Sequence, residues 1–124
     1  MKLLLDSHVF LWWLGKEKRL LGRLFDAVRD PANEKFVSAA SVWELEIKRN
    51  LGRLATPPDM AEALRMTGFT TVPVTPAHAI AAAGLPPHHA DPFDRMLIAQ
   101  AKLEGFTVAT VDHRFAAYGV PVIG

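Results

Sequence analysis

The sequence predicts an α/β fold: a three-layer α/β/α sandwich around a short-stranded, mostly parallel central sheet, built as one domain over residues 1–124. Three observations predict it. Short apolar runs alternate with helical stretches along the chain, the pattern of a parallel sheet with helices on both faces. A length of 124 residues suits one hydrophobic core rather than two. Half of the residues are apolar, and a domain of this size buries roughly two-thirds of the surface its unfolded chain exposes.

Each element has its own signal. Leu3-Leu4-Leu5 reads as a strand buried on both faces, ended by Asp6. Val9 to Leu14 is helical, and Leu20, Leu21, Leu24, Phe25 and Val28 form a second amphipathic stripe that stops at Asp30-Pro31. Lys35 to Ser38 is a brief strand, and a helix runs from Ser41 to a glycine stop at Gly52. Pro57-Pro58 separates it from a helix over Asp59 to Met66. Phe69 to Val74 is a third strand, and Thr75-Pro76 opens an alanine-rich helix. Leu85 to Pro92 is a loop, since its prolines restrict the residues before them. Asp91-Pro92 begins the clearest helix, closed at Glu104-Gly105. Thr107 to Val111 is a strand, Phe115 to Tyr118 a helical turn, and Pro121 to Ile123 a last strand.

Composition excludes several classes. The absence of cysteine removes disulfides, thiolate metal sites and a cysteine nucleophile. A net charge of +1 gives no whole-molecule basic field. No apolar run approaches the roughly 18 residues of a membrane span, and Asp6 and His8 interrupt the N-terminal leucines too early for a signal peptide. A cytoplasmic protein is expected. Neither a Walker A loop nor a G-x-G-x-x-G turn is present.

Four carboxylates stand where this architecture places function. Asp6 and Asp112 each follow an apolar strand, and open α/β sheets bind ligands outside the carboxyl ends of their strands. Glu44 and Asp94 fall in the first turns of helices. On a helical wheel Asp94 lies between Ile98 and Ala101, within the apolar arc, while Arg95 and Lys102 mark the wet face. A carboxylate on that stripe is costly unless paired, hydrogen-bonded or bound to a metal. Plain structural readings compete. Ser41 to Glu44 has the spacing of a capping box, and Asp91-Pro92-Phe93-Asp94 is a good helix start with Asp91 as cap. Glu44 and Lys48 form an i,i+4 pair. Clustered acids need counter-charge, and the fitting ion is Mg²⁺ or Mn²⁺, hard cations that take oxygen ligands. His88-His89 are adjacent and lack the spacing of a helical zinc pair.

Several of these segments together resemble PIN-domain proteins, and within them toxins of the VapC type from bacterial type II toxin–antitoxin systems. The segments are Leu4-Leu5-Asp6-Ser7-His8, Ser38 to Glu44 with Ile47-Lys48, Asp91 to Arg95 running into Leu97 to Ala101, and Thr110-Val111-Asp112. The likeness covers essentially the whole chain. It implies a metal-dependent endoribonuclease whose Mg²⁺ or Mn²⁺ is held by Asp6, Glu44, Asp94 and Asp112. It also implies a homodimer and a cognate antitoxin protein that neutralises it. Asp91 is read as a cap first and an accessory ligand second, and Ser7 and Thr110 as hydrogen-bonding accessories. Lys48, Arg95 and Arg114 are candidates for contacting RNA phosphates, against the plain alternative of solvated helix faces. Two other functions are weighed: a non-catalytic binding module whose acids are only helix caps, and a metal-binding phosphoryl-transfer domain. The second lacks a phosphoacceptor carboxylate after the third strand, where Val74-Thr75-Pro76 stands.

Overall fold

The computed structural model describes residues 1–124. Strands β1 (Lys2–Leu5), β2 (Glu34–Ser38), β3 (Thr70–Val72), β4 (Thr107–Ala109) and β5 (Val122–Ile123) form one sheet in the order β3-β2-β1-β4-β5. Every pairing is parallel, so the expected sheet is wholly rather than mostly parallel. Leu3, Leu4 and Leu5 are fully buried because β1 is the central strand, covered on both faces. Their side chains alternate. Leu3 and Leu5 join Val9, Phe10, Leu24, Val28 and Leu45 in one core, whereas Leu4 joins Leu97, Ile98, Phe106, Val108 and Phe115 in the other.

The first of these cores is covered by helices α1 (Ser7–Gly15), α2 (Gly22–Arg29), α3 (Ala39–Asn50) and α4 (Met60–Thr67). On the opposite face α6 (Pro92–Glu104) packs on the sheet and α5 (Pro76–Ala83) packs on α6. A 3₁₀ helix, His113–Tyr118, links β4 to β5. None of these helices is long and apolar enough to cross a membrane.

Several boundaries differ from the sequence reading by a few residues, and two of them have a clear local reason. Helix α3 begins at Ala39, two residues before Ser41. Its cap is Ser38, whose hydroxyl accepts the Ala40 N–H at 3.1 Å. The Ser41–Glu44 capping box therefore does not form, and Glu44 lies in the second turn. Strand β3 stops at Val72 because Pro73 has no N–H to donate to the ladder. Asp59, Thr75, Asp91 and Asp112 cap their helices, Thr75 in a reciprocal box with His78. The chain leaves β1 toward β2 on one side and meets β4 on the other. The carboxyl end of β1 is therefore a topological switch point, where open parallel sheets leave a crevice.

Candidate metal centre

Asp6 stands at that switch point. Its backbone N–H donates to Ala109 O at 3.0 Å, which carries β1 one residue past its ladder. The carboxylate caps α1, Oδ1 accepting the Val9 N–H at 2.8 Å, while Oδ2 accepts the Thr110 hydroxyl at 2.5 Å. Thr110 Oγ1 in turn accepts the Asp112 N–H at 3.0 Å, so one hydroxyl ties the ends of β1 and β4 together.

Glu44 reaches the same region from α3 with a side chain only 3% exposed. The Ser7 hydroxyl donates to its Oε1 at 2.5 Å and the Lys48 ammonium to its Oε2 at 2.6 Å. Asp91 accepts the Phe93 and Asp94 N–H groups and fixes the start of α6. Asp94 projects from that first turn, and its Oδ2 lies 3.0 Å from His89 Nε2. The same nitrogen hydrogen-bonds Asp112 Oδ2 at 3.1 Å. Arg114 holds Asp112 from the other side, with Nε and Nη2 donating to its two oxygens at 3.1 and 2.9 Å.

The electrostatics follow from this crowding. Burial, reinforced by the carboxylates of Asp91, Glu44, Asp6 and Asp112, pushes the Asp94 carboxyl up to about 7. Burial also raises Asp6, against the lowering pull of the Thr110 hydroxyl and the Val9 amide. The hydrogen bonds from Arg114 hold Asp112 well below the usual carboxylate range. Two cations, Lys48 and Arg114, thus stand against five acids, and the deficit falls on Asp94.

The donor set suits a hard divalent cation. It consists of carboxylate oxygens, and ligand atoms of Asp94, Asp112 and His89 lie within 4.8 Å of one another. The Ser41 hydroxyl, buried one turn before Glu44 on α3, has no hydrogen-bond partner.

The four predicted acids and Asp91 thus converge, joined by the predicted accessories Ser7 and Thr110. Among the basic residues, the Glu44–Lys48 pair forms as its i,i+4 spacing predicts, while the two arginines find partners the sequence did not show. Lys48 and Arg114 are counter-charges to Glu44 and Asp112. Arg95, read as part of a wet face and as a candidate phosphate contact, is half-buried and already engaged within the fold. Its guanidinium donates to the carbonyls of Ala82, Ala83, Leu85, Pro86 and His89, because the end of α5 and the loop before α6 turn their carbonyls toward it. Replacing Arg95 by Lys should cost on the order of 2 kcal/mol, since an ammonium cannot serve so many carbonyls in fixed directions. Thermal melting checks this, and hydrogen exchange should show the loss concentrated in residues 84–90.

His89 is the member that spacing along the chain missed. Adjacency to His88 argues against a helical metal pair and says nothing of a loop folding one ring inward. The available signal was the turn forced by Pro86-Pro87 just ahead of the capping Asp91.

With this geometry established, comparison with known proteins is direct. The PIN-domain family model matches residues 3–121. The chain is 34% identical over 126 residues to Ribonuclease VapC22 of Mycobacterium tuberculosis, covering 95% of this chain and 92% of that protein. Among solved structures, VapBC2 from Rickettsia felis bound to a promoter DNA fragment superposes with a TM-score of 0.71 at 12% identity, covering 99% of this chain and 98% of that one. DNA-bound VapBC from Salmonella typhimurium gives 0.63 at 18% identity, covering 99% and 97%. The α/β sandwich with a carboxylate cluster at its switch point is that of a PIN-domain protein, and the chain belongs to the PIN-domain family.

Proposed function

We propose that this protein is a metal-dependent endoribonuclease that hydrolyses phosphodiester bonds in RNA and acts as the toxin of a toxin–antitoxin pair in the cytoplasm. One observation carries the catalytic part. Asp6, Asp91 and Asp112 all serve as helix caps, which alone would favour a non-catalytic module. Glu44 and Asp94 accept no backbone N–H, yet both are drawn into the cluster, Asp94 at electrostatic cost. Caps do not explain them, whereas a cation site does. The relatedness to Ribonuclease VapC22 supports RNA as substrate, and the likeness to VapBC structures supports a cognate antitoxin as partner. Trp43, 64% exposed beside the cluster on α3, adds apolar surface that suits a protein partner or a second copy in a homodimer.

Asp6, Glu44, Asp94 and Asp112 would hold Mg²⁺ or Mn²⁺. Such an ion, when bound, supplies a water of lowered pKa and offsets charge at the phosphate and the leaving oxygen. The chain's own residues do the rest. Val9 N–H and Thr110 Oγ1 fix the Asp6 carboxylate at both oxygens, and Ser7 and Lys48 do the same for Glu44. Asp94, whose carboxyl burial and neighbouring acids push up to about 7, would hold the cation in its deprotonated form. Arg114, whose side chain is 60% exposed at the rim, can turn outward to a phosphate.

The test is cleavage of mixed structured and unstructured RNAs by purified protein in Mg²⁺, in Mn²⁺ and in chelator, beside Asp94→Asn. Cleavage that needs the cation and is lost in a folded Asp94→Asn protein is the expected result. Equal cleavage by that variant, or no Mn²⁺ binding by calorimetry, would overturn the reading.

A further inference from the structure

The ring of His89 is buried within the acidic cluster, and the nuclease reading assigns it no task. Its placement is fixed from several sides. The backbone N–H of His89 donates to Tyr118 Oη at 2.8 Å, and that hydroxyl donates to Pro86 O at 2.6 Å. The Phe115 ring stands perpendicular to the imidazole at 6.0 Å, and Arg95 holds the His89 carbonyl. The Asp91 N–H donates to Nδ1 at 3.2 Å.

That last bond decides the chemistry. An imidazole ligates a metal through an unprotonated nitrogen. Here the Nδ1 lone pair is already engaged by a backbone donor, so the hydrogen-bond network assigns the proton of the neutral ring to Nε2. Nε2–H then faces Asp112 Oδ2 and Asp94 Oδ2, where it acts as a donor.

We propose that His89 is a positioning residue: its Nε2–H sets the rotamers and separation of Asp94 and Asp112 so that these carboxylates, and not the imidazole, meet the divalent cation. This rests on the nuclease reading above. Tyr118, more than twenty residues along the chain, completes the device by locking the loop that carries the ring. Residues that orient metal-ligating carboxylates usually affect affinity by about ten- to a hundred-fold.

Two measurements test it. Long-range ¹H–¹⁵N correlation on the wild-type protein should show His89 protonated at Nε2 both without and with saturating Mg²⁺. Calorimetry with Mn²⁺ should show binding weakened by about ten- to a hundred-fold in His89→Ala. His89→Gln, whose amide N–H can take the place of Nε2–H, should recover most of it. Tyr118→Phe, which keeps the ring and loses its anchor, should fall between. A shift of the proton to Nδ1 on adding Mg²⁺ would make His89 a ligand and overturn the proposal, even if His89→Ala does not fold. Unchanged Mn²⁺ affinity in a folded His89→Ala protein would overturn it too, leaving the ring as packing alone. In both cases wild-type cleavage and metal binding persist and the nuclease reading survives. Absence of Mn²⁺ binding by the wild-type protein removes both.

Discussion

Asp94→Asn is expected to stabilise the metal-free protein at pH 8 while abolishing its cleavage of RNA. The carboxyl titrates at about 7 in the folded chain against 3.8 ordinarily, so between those values the native state holds a proton that the unfolded chain has released. Stability therefore falls as pH rises from about 4 to 7, and above 7 the whole penalty is present. An asparagine carries no such penalty. The gain should be on the order of 2–4 kcal/mol at pH 8, or a melting temperature higher by on the order of 10 °C. Near pH 4 the two proteins should converge. Saturating Mg²⁺ should reverse the order at pH 8, since it stabilises only the chain that binds it. Identical melting at pH 8 without metal would show that Asp94 sits there at no cost, and the principal argument for a cation site would go with it.

Lys48→Met should produce the opposite pair of effects. The Glu44 carboxylate is almost wholly buried, and Lys48 is its only cationic partner. Truncating one member of such a pair strands the other charge, which costs about 3–5 kcal/mol when both are buried. With the Lys48 side chain 31% exposed, about 2 kcal/mol is the expected loss. Adding Glu44→Gln should restore most of that stability, a non-additivity readable from a double-mutant cycle. Mg²⁺ should bind Lys48→Met more tightly than wild type, because a competing positive charge has left the cluster. Weaker Mg²⁺ binding in a folded Lys48→Met protein would mean that Lys48 organises the site rather than neutralising it.

The fold was legible where a residue's role is local. Asp91-Pro92 and Gly105 bound α6, and Thr75-Pro76 opens α5, because caps and proline act through the few residues beside them. The leucines of β1 announced a strand covered on both faces. Ser41 misled because two serines precede Glu44 at helix-starting positions, and only the end of β2 decides that Ser38 is the cap. Of the candidate site, the carboxylates were readable from their positions at strand ends and on helix faces. The partner of Lys48 was readable as an i,i+4 pair with Glu44, but those of Arg95 and Arg114 were not. A long basic side chain can reach a phosphate, an acid or a carbonyl with equal ease, and the choice belongs to the packed structure. His89 was hidden for a related reason. Its role depends on a loop conformation set by Arg95 and Tyr118, residues that flank it in space rather than by any fixed spacing.

The hydroxyl that joins Asp6 to Thr110 spans 104 residues of sequence. On the ribosome β1 is made well before β4, whose end carries Thr110 and Asp112. At about 5–20 residues per second, that interval lasts on the order of 5–20 s. Throughout it the nascent protein carries Asp6, and then Glu44, without the groups that complete their cluster. The carboxylate cluster therefore cannot assemble until β4 and the residues after it have been synthesised, a delay set by the sequence separation of its members.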